Sequence, residues 1–389
     1  LAWILIFKSL RLLGFSERNS WFSILAVFLS SYALWYVFIL PSYTHTYEIF
    51  AVALLLYSFI KIQKQAKLNK NKNWKIFLVC GLALGFAVIV RPTLFPIVLL
   101  VSFAFLLQKK SFKQILSFIL GGLPFLIIFL LYNFISYGDS LSFGYSTVRG
   151  ENFSFSNFYI LEILFSPLKG WFVFSPIYLL SIAGLILLFR KNRSLSIISI
   201  VGIFSIALLY SAWSQWWGGG SYGSRFMCFA VPFGAIGLAN LLSYSKRLKI
   251  TFRQLIILFI VVFTLFSTGV LFLYRVVDIN GSWFYTPIFL YKTEVSILKE
   301  VKSIPDIFQV HYDHVYEGSS LWKLYNKDFV YALTILENTD NSTIEFRLFT
   351  SPYGTTLPLP KNIKYYLVDN LNGNIYESSW QSNKQISTL

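Results

Sequence analysis

Charge is scarce along this chain. Of its 389 residues 13% are charged and 56% are hydrophobic, with mean hydropathy +0.62; ordinary soluble domains carry about 25% charged residues. Cysteine is nearly absent. Cys80 and Cys228 both fall inside apolar runs, where they read as small hydrophobic filler, so neither a disulfide framework nor a cysteine-held metal is expected. The one methionine is Met227 and the chain opens at Leu1, so an upstream start is expected, and no signal peptide is read. Acids and bases are also missing from the apolar runs Trp21–Leu40, Ile76–Val90, Gln114–Phe134, Trp171–Phe189, Ser194–Ser211, Phe226–Tyr244 and Gln254–Tyr274. Tyr47–Ile60 holds one, Glu48, near its end. A charge at mid-bilayer marks an ion or proton path, and its absence argues against an ion-coupled transporter.

What is present is a sequence of apolar runs near the ~20 residues that cross a bilayer. Basic clusters fill every second connector: Lys61 to Lys75, Lys109 to Lys113, Arg190 to Arg193 and Lys246 to Arg253. By the positive-inside rule those connectors face the cytoplasm. The connectors between them, outside, are then 41–46, 91–93, 135–169 and 213–225. Leu94–Leu107 is short for a full span and is expected to tilt. With Leu1–Leu13 entering from outside, about ten spans are expected, and a helix and an outer loop are expected before Leu1.

The net charge of +16 divides unevenly. From Asp278 onward twelve acids meet nine bases, a net of −3, which leaves +19 for the rest. Those bases sit at membrane ends, where anionic headgroups are the partner, so no nucleic acid is expected. The tail reads as β-rich: Phe329–Glu337, Thr343–Phe349 and Lys364–Val368 have strand composition, and Asn372-Gly373 signals a turn. The expected architecture is an all-α polytopic membrane bundle over 1–275 and a small β-rich extracytoplasmic domain over 276–389. No repeat of 20–50 residues is seen.

The unusual polar residues all lie on the expected outer side. The densest stretch runs from Ser211 to Arg225 and holds Trp213, Trp216, Trp217, four glycines including Gly219, Tyr222 and Arg225. Glycines let backbone approach a ligand, Trp faces stack on sugar rings, and an Arg fork fits phosphate oxygens. The start of a helix at Phe226 adds a favourable dipole for an anion. An interfacial aromatic belt with a snorkelling Arg is the plainer alternative. Arg91 before Pro92 is either a second phosphate ligand or an interfacial anchor. His45 and Glu48, three apart, share a helix face. They read as a polar pair at a substrate cavity or as helix-end groups. Asp139, Arg149 and Glu151 lie in a connector where solvation also accounts for them. His311-Tyr312-Asp313-His314 has metal-like spacing without a third or fourth ligand in evidence, so no metal and no cofactor are expected.

Three stretches resemble the GT-C membrane glycosyltransferases that use polyprenyl-phosphate sugars, such as the bacterial aminoarabinose and galacturonic-acid transferases and the protein O-mannosyltransferases. The first is Tyr132-Asn133-Phe134 through Tyr137-Gly138-Asp139 to Phe143-Gly144-Tyr145. The second is Leu164-Phe165-Ser166-Pro167-Leu168-Lys169-Gly170-Trp171-Phe172-Val173-Phe174-Ser175-Pro176. The third is Trp213 through Gly218-Gly219 to Tyr222-Gly223 and Arg225. The resemblance covers about 41–240. It implies an inverting transfer at the outer face of the plasma (inner) membrane, from a polyprenyl-phosphate-linked sugar to an extracytoplasmic acceptor. It also implies an acidic base in the first outer loop, which precedes Leu1 here, so the chain as it stands is expected to lack that base.

The expected roles follow. Arg225 and Arg91 hold the donor phosphate. Trp213, Trp216, Trp217, Gly219, Tyr222 and Asp139 bind sugar or headgroup. His45 and Glu48 support the base or orient the acceptor. An O-antigen polymerase or ligase is the alternative enzyme, with its main functional loop expected late and between full spans. A transporter or flippase is the non-enzyme alternative, with buried charges or broken helices at mid-bilayer expected.

Overall fold

In the computed structural model, the described residues are 1–67, 74–107, 111–141, 153–156, 158–166, 169–213, 216, 218 and 222–277. Beyond these are the strand residues 320–326, 329–337, 344–350, 362–368 and 375–381. The chain divides into two units, one built from 1–218 with 222–268, the other from 219–221 with 269–389.

The first unit is helical. Its helices are α1 (Ala2–Leu12), α2 (Glu17–Leu29), α3 (Ala33–Phe38), α4 (Thr44–Lys67), α5 (Trp74–Val90), α6 (Phe95–Leu106) and α7 (Phe112–Tyr137). They continue as α8 (Ile160–Phe165), α9 (Trp171–Phe174), α10 (Ile177–Leu188), α11 (Arg193–Ser211), α12 (Val231–Ser245) and α13 (Ile250–Val277), which runs on past Thr268. 3-10 segments precede α6 at Pro92–Leu94, one turn, and α12 at Arg225–Ala230, two turns.

Among the described residues five helical segments are long and apolar enough to cross a membrane: Thr44–Ala66, Phe112–Tyr137, Arg193–Ser211, Arg225–Ser245 and Ile250–Phe272. Trp74–Val90, Pro92–Leu106 and Ile177–Leu188 are apolar but shorter. Against the expected count of about ten, the described residues hold five segments of spanning length and three shorter ones. Two of the expected spans have visible breaks. The run Trp21–Leu40 is interrupted at Ser30-Ser31-Tyr32. There the Ser30 hydroxyl bonds Thr264 of α13 (3.1 Å), and the Ser31 hydroxyl accepts from the Ala33 N–H (3.3 Å). Such side-chain bonds compete with the helical ladder. The run Trp171–Phe189 breaks at Ser175-Pro176, since proline has no N–H to continue the helix.

The packing uses small residues. At the crossing of α10 and α12, a Cβ on Gly184 would overlap the Gly237 carbonyl, and one on Gly237 would overlap the Ser181 carbonyl. Asn240 locks the crossing, its Nδ2 donating to the Gly184 carbonyl (2.9 Å). Close backbone approach through small residues is the usual way helices pack without a solvent-driven term. We expect Gly184→Leu to cost about 3 kcal/mol by forcing these backbones apart. An unshifted midpoint for unfolding in detergent would show that the helices do not meet there.

By contrast α7 leaves Ile119, Leu120, Leu123, Leu126, Ile127, Ile128 and Leu131 exposed. Such an apolar face is far larger than a soluble monomer tolerates and suits lipid.

In the second unit β1 (Ser320–Asn326), β2 (Phe329–Glu337) and β3 (Ile344–Thr350) pair antiparallel in that order. β4 (Asn362–Val368) pairs separately with β5 (Ile375–Gln381). The two ladders share no strand. A lone hairpin is marginal in water, and a three-stranded ladder needs a covered apolar face. The β-rich domain expected over 276–389 is therefore not supported. His311 to His314 and Asn370 to Asn374 lie outside the described residues.

Candidate functional site

The site forms where the N-terminus of α4 meets the C-terminal end of α5 and the 3-10 turn before α12. His45 and Glu48 occupy the first turns of α4 and are buried, at 2% and 0% exposure. The Thr46 hydroxyl ties this end of α4 to α3 by donating to the Tyr36 carbonyl (2.9 Å). The rings of Tyr36 and Tyr43 lie 4.6 and 6.4 Å from that of His45.

Arg91 follows the last turn of α5. Its extended backbone (φ −158°, ψ 106°) stops the helix before Pro92 and sends the side chain to α4. Nη1 of Arg91 lies 2.7 Å from His45 Nδ1 and 3.3 Å from Glu48 Oε2, which are themselves 3.1 Å apart. Nδ1 holds either a proton or a lone pair, so it serves one neighbour at a time. Arg91 can only donate. Donation to both neighbours leaves Nδ1 as an acceptor and puts the imidazole proton on Nε2. Glu48 Oε1 has no hydrogen-bond partner among the described residues, although it is buried.

Arg225 opens the 3-10 turn before α12. Its guanidinium carbon lies 5.4 Å from the ring centre of Phe226 and 6.0 Å from that of Tyr43. The guanidinium carbon of Arg91 lies 5.5 Å from the same Phe226 ring and 5.5 Å from Tyr210. Tyr210 and Phe226 stack in parallel, with centroids 4.1 Å apart, and the Tyr210 hydroxyl meets that of Thr93 at 2.6 Å. The two arginines, far apart in sequence, thus share one aromatic wall.

The glycines of the Trp/Gly/Arg segment shape this wall. Gly218 (φ +74°) lies against Arg225 and Phe226; a Cβ there would stand 3.2 Å from Arg225 Nε. Gly223 (φ +54°) lies flat on the Tyr32 ring, where any Cβ would overlap. Both need glycine for the left-handed backbone as well as for the space.

Arg225 differs from Arg91 in one respect. Its Nε is buried without a hydrogen-bond partner, and among the described residues its guanidinium makes no hydrogen bond or ion pair. A half-buried guanidinium held between rings, with unused donors among the described residues, is ready for an anion that presents two oxygens to its fork.

The remaining expected residues divide. Tyr222 is 2% exposed, its ring among Tyr32, Trp35 and Phe174, so it is a packed wall rather than an open stacking platform. Trp213 packs edge-on against Phe153 at 4.5 Å, and Trp216 stacks on Tyr159 at 5.7 Å. Hydrogen bonds from the Ser154 and Tyr159 N–H groups to the Ala212 and Ser211 carbonyls (2.6 and 2.9 Å) hold this connector to the end of α11. Asp139 is exposed beyond α7 and accepts from the Leu141 N–H in its own turn (3.1 Å). Trp217, Gly219, Arg149 and Glu151 lie outside the described residues. The helix start expected at Phe226 is a 3-10 turn, and α12 begins only at Val231. The dipole contribution expected beside Arg225 is thereby displaced by nearly two turns, beyond the reach of an effect confined to a helix's first turn.

Sequence reasoning missed Tyr36, Tyr43, Tyr210 and Phe226 as site walls, because buried aromatics look alike in a chain so rich in them. It also gave no role to Lys169. Compared with family models, with curated proteins and with solved structures, the chain finds no match.

Proposed function

We propose that this chain is a multi-pass membrane glycosyltransferase of inverting type, with a polyprenyl-phosphate-linked sugar as donor. What carries the reading is Arg225: a guanidinium fixed by two rings, beside a second arginine on the same wall, with no anionic partner among the described residues. A lipid-borne phosphodiester supplies the missing anion, and the exposed apolar helices supply the surface where such a lipid travels.

In this reading the acceptor oxygen attacks the anomeric carbon and the C–O bond to phosphate breaks on the opposite face. The bonding pair stays on the phosphate oxygen, so a monoanionic phosphodiester becomes a dianionic phosphomonoester. Cations beside that phosphate stabilise the transition state more than the ground state. The hydroxyl proton passes to a base. Among the described residues Glu48 is the candidate, with Oε1 unbonded and Oε2 held by Arg91. Trp213, Trp216, Trp217, Gly219 and Asp139 remain proposed sugar or headgroup contacts. No step here calls on a metal.

The site end of the bundle is placed on the extracytoplasmic side, together with the tail. The positive-inside pattern supports this. Both native cysteines are buried and give little background to thiol labelling. We expect Asp139→Cys to react with a membrane-impermeant maleimide in intact cells, and Lys246→Cys only after permeabilisation. The reverse pattern would overturn the sidedness. The direct test of function is transfer by the full chain in nanodiscs from undecaprenyl-phosphate-linked sugars. Failure to bind undecaprenyl phosphate would defeat the donor assignment.

A further inference from the structure

Helix α12 carries the chain from the Arg225–Ala230 turn to Ser245, away from the site, and there it meets the turn between α1 and α2. The Asn19 side chain of α2 donates to the Ser243 hydroxyl (3.2 Å). Phe15 closes the α1–α2 turn, its ring buried and its N–H donating to the Leu10 carbonyl (3.2 Å). Two bases are held on this one residue. Arg11 Nη1 donates to the Phe15 carbonyl (2.5 Å), and Lys191 lies over the Phe15 ring with Nζ 5.9 Å from its centre. The side-chain oxygen of Asn240 accepts from the same Nζ (3.1 Å), so the ammonium is fixed rather than free. Fixing a long basic side chain beforehand lowers the entropy lost when an anion binds it.

Two more bases stand at this corner. Lys8 precedes Arg11 by one turn on the exposed face of α1, and Arg18 opens the exposed face of α2. Lys8, Arg11, Arg18 and Lys191 are all exposed, and among the described residues none of them makes an ion pair. The one acid here, Glu17, stands in the first turn of α2, where the helix dipole favours it.

Beyond the bases the same two faces turn apolar. Ile4 lies one turn before Lys8, and Trp21, Phe22 and Leu25 follow Arg18 at three, four and seven residues, all four exposed. Trp21 stacks on Phe7 of α1, with ring centres 4.5 Å apart, so the two faces are continuous. A cluster of cations leading into an aromatic and then aliphatic surface matches a phospholipid from phosphate to acyl chain. A soluble acidic partner would leave the apolar part uncovered.

We propose that this corner binds one anionic phospholipid, its phosphate beside Lys191, Arg11 and Arg18 and its acyl chains along the exposed faces of α1 and α2. The inference needs the chain to lie in a membrane. It needs neither the sugar donor nor the reaction, so its failure leaves that reading untouched.

The test is native mass spectrometry of the full chain in detergent micelles, titrated with phosphatidylglycerol or with phosphatidylcholine of the same acyl chains. Phosphatidylglycerol is expected to bind the wild type at least about tenfold more tightly. Lys191→Met and Arg18→Gln are each expected to weaken phosphatidylglycerol about fivefold and to leave phosphatidylcholine unchanged. Arg18 is exposed, so Arg18→Gln is expected to melt with the wild type, which separates lost binding from lost folding. Lys113→Met removes a base held over the Trp74 ring (5.4 Å) and is expected to change nothing. Equal binding of the two lipids by the wild type would overturn the inference. So would wild-type binding by both Lys191→Met and Arg18→Gln. A loss with Lys113→Met as large as with Arg18→Gln would show diffuse surface charge and defeat the site. Glycerol phosphate bound as tightly as phosphatidylglycerol would defeat the lipid as its ligand.

Discussion

Arg225→Ala is expected to lower sugar transfer at least about 100-fold, the usual cost of removing one preorganised group that stabilises developing charge. Folding is expected to survive. The guanidinium bonds no described protein group, so its removal strands no buried partner. What is lost in the free protein is contact with the Tyr43 and Phe226 rings, a modest term. Arg225→Lys keeps the charge but loses the fork and is expected to fall between the two. The measurement is transfer from a defined polyprenyl-phosphate sugar, alongside the melting temperature of each variant. Wild-type transfer by Arg225→Ala would remove the residue on which the functional reading stands.

Glu48→Ala is expected to act on the fold as strongly as on the chemistry. Glu48 is fully buried, and its Oε2 accepts from Arg91 and lies beside His45. The side chain of Arg91 is itself 15% exposed. Removing one partner of a buried pair leaves the other charge uncompensated, at about 3–5 kcal/mol. Tyr210 and Phe226 then border a guanidinium that has lost its Glu48 carboxylate, and the shared wall loses that anchor. Glu48→Gln keeps the shape and an acceptor for Arg91. It is expected to lose less than half that stability, yet still to lose transfer if Glu48 takes the acceptor proton. Unfolding followed by tryptophan fluorescence separates the two variants. A Glu48→Ala protein as stable as the wild type would mean that the cluster is not held together by this carboxylate.

The helices were legible because an apolar run is a local property. Gln114–Phe134 and Gln254–Tyr274 are the cores of α7 and α13. Their ends shifted by a few residues, as helix ends do. Breaks were less legible. Ser30-Ser31 interrupts an unbroken apolar run because its hydroxyls find partners, one of them on α13. In the site, the three-residue spacing of His45 and Glu48 already put them on one face. Nothing in the spacing of Tyr222 distinguished a buried ring from a sugar platform. Nothing in the sequence around Lys169 marked it as buried, because burial of a loop residue depends on what the loop packs against.

By itself the sequence determined that the first unit is helical and apolar, and that its few polar groups fall in particular connectors. Both follow from composition and periodicity, which the chain carries locally. Only the tertiary structure decided that Arg91 and Arg225 border the same Phe226 ring, and that Arg91 is paired by Glu48 while Arg225 meets no anion among the described residues. Those relations depend on how α4, α5 and the turn before α12 pack together. Packing distances between residues remote in the chain are written in no single stretch of it.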